Sequence, residues 1–161
     1  MRSRRVLALE LTSTTAGFVV LEGPERLVIW GSKGIDDDVS RFLPKLSREV
    51  LRYRPDVIVG EDPALSRKGS RVREHLVWCE QWSADHETPF ISVSAGELRS
   101  WSEHLGPTKE RRAIALARLF PEIRPLVPPP RKLWQAEAKR VNVFVALSRA
   151  LYYYERSERG L

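Results

Sequence analysis

The sequence predicts an α/β fold on a mixed five-stranded sheet, with three antiparallel strands first, then two parallel additions, and helices on the flanks. Three observations predict it. The first third of the 161 residues alternates short β-branched apolar runs with turn-rich text. A helical pattern then leads into a brief buried-type run, the arrangement that adds a parallel strand to a sheet. The second half is mostly helical in spacing. No repeat or low-complexity tail interrupts the chain, so 1–161 reads as a single domain.

The elements follow in order. Val6–Leu11 is strand-like, and Gly17–Leu21 is a second run after the turn-rich Thr12-Ser13-Thr14-Thr15. Glu22-Gly23-Pro24-Glu25 makes a tight turn into Leu27–Trp30. Asp36-Asp37-Asp38 caps a helix from about Val39 to Tyr53, with Val39, Phe42, Leu43, Leu46, Val50 and Leu51 at helical spacing. Pro55 ends it, and the strand Val57–Glu61 follows. Ser70 to about Ala84 is helical, Phe90–Val93 is a fifth strand, and Glu97–Trp101 is a helical turn. Thr108 opens a helix through Phe120. Pro125 and Pro128-Pro129-Pro130 stiffen a connector before a last helix from about Leu133 to Tyr154.

Composition sets bounds on function. Apolar residues are 42% and charged residues 30%, as in ordinary soluble domains. The net charge of +6 favours a polyanionic partner, most simply nucleic acid. No apolar stretch approaches the ~20 residues that span a bilayer, and no signal-type segment follows the basic N-terminus, so no membrane association is expected. The single Cys79 allows no internal disulfide and fits the reducing cytoplasm. One cysteine with the scattered His75, His86 and His104 makes no zinc site.

The chemistry is carried by acids at the ends of two buried-type runs, Glu10 and Glu61. A carboxylate there needs a partner or a metal to offset its desolvation. If the two strands are neighbours, both acids meet at one sheet edge. Oxygen ligands suit Mg²⁺ or Mn²⁺. Paired ions can activate water and stabilise the leaving oxygen in phosphodiester cleavage. Ser66-Arg67-Lys68-Gly69-Ser70-Arg71-Val72-Arg73 places four positive charges directly after the second acid, suited to binding phosphates through Arg67, Lys68, Arg71 and Arg73.

The segment from Leu7 through Glu10, Thr12-Ser13-Thr14-Thr15 and Gly17-Phe18-Val19-Val20 resembles the opening of the RuvC family of Holliday-junction resolvases. Tyr53–Glu61 is similar to that family's fourth strand and its Glu. Pro89–Val93 and Gly106-Pro107-Thr108-Lys109 are similar to its fifth strand and the entry to the next helix. The resemblance covers roughly residues 5 to 150 and implies an RNase H-like fold. It implies a homodimeric, Mg²⁺- or Mn²⁺-assisted endonuclease acting on branched DNA, the four-way junction. Glu10 stands where the family has Asp. The two acids of the family's last helix fall at Lys139 and Asn142, so half of a four-acid centre is retained. Glu137 is the nearest additional acid, about 140° from Asn142 around a helix that turns ~100° per residue.

The resemblance places Glu10, Glu61 and Asn142 at the metal and Lys109 near the scissile phosphate. Arg99 falls near a second basic position, and Lys139 joins the DNA-facing charges. It sets the helix of Trp78 and Trp82 against a dimer partner. The family's aromatic wedge after the fourth strand has no counterpart in Asp62-Pro63-Ala64. Three readings follow. The first is a structure-selective endonuclease. The second is a junction-binding module of the same fold with a decayed site, favoured by Lys139 and Asn142. The third, an actin-like ATPase or kinase fragment, would need a second copy of the fold.

Overall fold

A computed structural model of the chain describes residues 3–35, 41, 44, 47, 48, 51–128 and 140–160. Its strands are β1 (Arg5–Leu11), β2 (Thr15–Glu22), β3 (Leu27–Gly34), β4 (Val57–Gly60) and β5 (Phe90–Ser92). Its helices are α1 (Ser70–Asp85), α2 (Ala95–Ser102), α3 (Lys109–Leu119) and α4 (Val141–Glu158). Short 3₁₀ turns occupy Glu103–Leu105 and Pro121–Leu126. Of the predicted 39–53 helix, Arg41, Pro44, Ser47, Arg48 and Leu51 are described and helical. The Asp36–Asp38 cap and the start of the last helix, with Glu137 and Lys139, lie outside the described residues.

The sheet order is β3-β2-β1-β4-β5. The pairs β1–β2 and β2–β3 are antiparallel, while β1–β4 and β4–β5 are parallel. The predicted mixed five-stranded sheet is therefore the observed one. β3 runs past Trp30 to Gly34 because Thr15, Ala16 and Gly17 pair with Gly34, Lys33 and Ser32. Gly31 lies opposite Phe18, whose ring would sit 3.0 Å from any Cβ placed there. A glycine that reads locally as a break is thus a packing requirement.

Both faces of the sheet are covered. Side chains of a strand alternate between faces, so Val6 and Ala8 of β1 and Val57 and Val59 of β4 share one core with α4 residues Phe144 and Leu147. Leu7, Leu9, Leu11 and Ile58 share the other with Val72, Leu76 and Cys79 of α1. Central strands buried on both faces explain the unbroken apolar runs at 6–9 and 57–59.

α4 lies closely across β1 and β2. A Cβ on Gly17 would come within 2.6 Å of the Asn142 backbone, so only glycine allows the helix this close. The far end of α4 is fixed by Tyr154, whose hydroxyl accepts from Gly23 N (3.0 Å) and donates to the Arg4 carbonyl (2.6 Å). Beyond Tyr154 the helix continues to Glu158, with Trp101 Nε1 donating to Glu155. α2 begins earlier than expected, at Ala95, because Ser94 caps it by accepting from Glu97 N.

Candidate functional site

Glu10 has the parity of Val6 and Ala8, and Glu61 has that of Val57 and Val59. Both therefore face α4. The β1–β4 register pairs Ala8 with Val59, so two residues further on Glu10 comes level with Glu61. Both residues are nearly inaccessible, at 7% and 3% exposure. The expected meeting of the two acids at one sheet edge is a property of the fold.

A cation joins them. Lys68 Nζ lies 3.0 Å from Glu10 Oε1, 3.1 Å from Glu61 Oε2 and 2.9 Å from the Leu11 carbonyl. Its three N–H donors therefore have three acceptors. A second cation reaches Glu10 from α4: Arg149 Nη1 donates to Glu10 Oε1 at 3.0 Å and to the Leu9 carbonyl at 2.5 Å. Arg149 is only 1% exposed. Burial pushes the Glu10 carboxyl upward, but the charges of Arg149 and Lys68 outweigh it and hold the group below the usual carboxylate range.

The acids open onto a cleft of about 210 Å³. Leu98, Leu116, Val141, Phe144 and Val145 supply apolar walls. Arg99, Lys109 and Arg112 join Lys68 and Arg149 as its cations. Lys109 is the first residue of α3, which Thr108 caps by accepting from Arg111 N at 3.2 Å. Arg112 Nε donates to the Gly106 carbonyl at 2.9 Å, tying α3 to the preceding turn. The Gly-x-x-Lys stretch thus delivers Lys109 to the cleft of the two acids.

Asn142 is placed differently. Its Nδ2 donates to Thr15 Oγ1 at 2.7 Å, and that hydroxyl is 2.8 Å from Thr12 Oγ1. The amide ties α4 to the β1–β2 turn. The face that α4 turns toward the acids carries Val141, Phe144, Val145, Ser148 and Arg149 instead. Arg112 and Arg149 are cleft cations that sequence reasoning missed, and Arg149 is the one that reaches an acid. Its signal was present: a lone cation within the apolar run Val141–Leu151 must have a buried partner.

The remaining predicted residues divide between surface and core. Arg67 and Arg73 are exposed and Arg71 is half-buried, around the start of α1. Trp78 is exposed at 42%, beside Val77 at 51%. Trp82 instead packs against the α1-side core and stacks on His86, their ring centroids 4.2 Å apart. Asp62 accepts from Ala64 N at 2.9 Å in a local turn.

No protein-family model matches the chain, and no curated protein matches it by sequence. Solved structures match it over nearly its whole length. Thermus thermophilus RuvC in complex with a Holliday junction substrate superposes with a TM-score of 0.71 at 16% identity, covering 97% of this chain and 96% of that one. The fowlpox virus resolvase with Holliday junction DNA gives 0.57 at 12% identity, over 95% and 98%. The large terminase nuclease from thermophilic phage G20c gives 0.55 at 10% identity, over 94% and 82%. The chain has an RNase H-like fold of the RuvC resolvase type.

A divalent ion is the group this fold implies, and the described donors do not fit one. No cluster of three or more His, Cys, Asp or Glu side chains occurs among the described residues. Among the described residues, the two carboxylates at the cleft are matched by Lys68 and Arg149, which offset the negative charge that would attract an ion. Where α4 would have to supply further oxygens, it presents Val141, Val145, the Arg149 cation and a neutral Ser148 hydroxyl that donates to the Phe144 carbonyl. Mg²⁺ sheds its water reluctantly and needs a strongly anionic site to do so.

Proposed function

We propose that the chain binds branched DNA through the basic cleft of its RuvC-like fold, without a metal ion and without cutting the strand. The observation that carries this reading is the closed pair: Lys68 between Glu10 and Glu61, with Arg149 fixed on Glu10. Fixed cations offset the charge of the acids there, and they bring no activated water. The net charge of +6 and the cations of the cleft supply attraction to phosphates. Two of the structural neighbours are complexes with Holliday junction DNA, which supports the four-way junction as the form recognised.

The exposed Val77 and Trp78 of α1 support a second copy of this chain as the partner that covers them, giving two clefts on one four-way junction. Trp78→Glu is expected to shift the species seen by solution scattering from dimer to monomer. A wild-type monomer at all concentrations would contradict the pairing.

A second reading, a Mg²⁺- or Mn²⁺-dependent junction endonuclease, is favoured by one observation: Glu10, Glu61 and Lys109 line the same cleft. The two readings separate in one assay. Pure protein is incubated with a labelled four-way junction in Mg²⁺ or Mn²⁺, and both retention and nicking are measured. Retention with no nicking supports the binding module. Nicking abolished by Glu61→Gln establishes the enzyme instead.

A further inference from the structure

We infer that the cleft beside Glu10 and Glu61 is a phosphate site that works without metal, with the buried Arg149 guanidinium as part of its wall. The inference deepens the DNA-binding reading and rests on it for the identity of the natural ligand.

Among the described residues, five cations and two carboxylates line the cleft. They come from separate elements: Lys68 from the loop before α1, Arg99 from α2, Lys109 and Arg112 from α3, and Arg149 from α4. Convergence of this kind is unlike a solvated charge run along one helix face. Leu98, Leu116 and Phe144 stand beside the cations, and such apolar walls lower the local dielectric, which strengthens an ionic hydrogen bond made there.

Arg149 supplies an independent observation. Its Nη1 is used by Leu9 and Glu10, but its Nε is buried and has no hydrogen-bond partner. Buried donors are nearly always satisfied, and an orphan one points to a group that is absent. A phosphate oxygen is the acceptor that fits: anionic, tetrahedral and matched to the planar guanidinium fork. A carboxylate ligand fits less well, since Glu10 and Glu61 already supply two beside it.

The same chemistry has two sources, a phosphodiester within a DNA strand and a terminal or free phosphate monoester. The probe is inorganic phosphate, added to the ¹⁵N-labelled full chain in excess EDTA, with the arginine Nε–H resonances followed by NMR. The Arg149 resonance, assigned by its loss in Arg149→Lys, is expected to shift saturably. Potassium chloride at equal ionic strength is expected to leave it in place. Lys109→Gln, at an exposed position, is expected to weaken phosphate binding severalfold. Arg149→Lys is expected to weaken it about tenfold.

The absence of a saturable shift, an equal shift with chloride, or wild-type affinity in both variants would overturn the inference. Short single strands with and without a 5′-phosphate identify the source. A shift with both assigns the internal phosphodiester, and a shift with the phosphorylated strand alone assigns the monoester. A junction that binds without moving the Arg149 resonance overturns the phosphate site but leaves DNA binding intact. Phosphate that moves it while junctions fail to bind leaves the site standing and removes the DNA reading.

Discussion

Glu10 and Arg149 illustrate how much a single buried ion pair decides at the residue scale. With side-chain exposures of 9% and 2%, both charges are buried, Arg149 against Glu10 and Glu10 against Lys68 as well. Breaking such a pair from one side costs about 3–5 kcal/mol. Arg149→Met is expected to lose that much stability in urea unfolding, and the double variant Glu10→Gln/Arg149→Met is expected to recover most of it. The same pair sets a pH dependence. The carboxyl is held below its ordinary value of 4.5, so its contribution is complete above 4.5 and is lost as pH falls through the lower folded value. Unfolding free energy measured against pH should fall in that acid window, and the Glu10→Gln/Arg149→Met double variant should lack that component. Cys79 is inert for a related reason: burial pushes its thiol up to about 12. A thiol reagent is expected to label it only after the protein is unfolded; rapid labelling of the folded chain would contradict its burial.

At the scale of elements, the position of α4 depends on Gly17. Gly17→Ala places a methyl 2.6 Å from the Asn142 backbone and is expected to cost about 1–3 kcal/mol, seen as a lower melting temperature. The strands were legible in the sequence because each is a short β-branched run bounded by turn residues. Residues 6–9 and 57–59 each show this. The facing of α4 was not legible. Val141, Asn142, Val143 and Phe144 are all buried, so apolar periodicity does not identify the side that meets the sheet. Asn142 was accordingly expected at the acids, whereas it bonds Thr15 and Arg149 occupies the place beside Glu10. Lys68 was hidden for another reason. In sequence it is one of four cations in a run, and only the path of the loop before α1 folds it back onto Glu10 and Glu61.

The whole molecule combines a resolvase-type fold with a cleft whose two acids, among the described residues, are matched by cations. Attraction to DNA should then be strongly salt-dependent. Replacing Arg99 and Lys109 by Gln is expected to weaken junction binding across sequences and to reduce the salt slope by about one for each phosphate no longer neutralised. An unchanged slope would remove both residues from the interface. No helix among the described residues is long and apolar enough to cross a membrane. Strand order and the meeting of the acids follow from patterns that a sequence carries locally. The closing of the acid pair by cations from a loop and a distant helix is tertiary, and it is the ground for the metal-free reading proposed above. The most direct test is junction binding and nicking by the pure wild-type protein, in EDTA and then in Mg²⁺ or Mn²⁺. The predicted result is junction binding in EDTA that needs no added ion, with every strand intact in all three conditions. Binding that requires the ion, or a nick that Glu61→Gln abolishes, would contradict it.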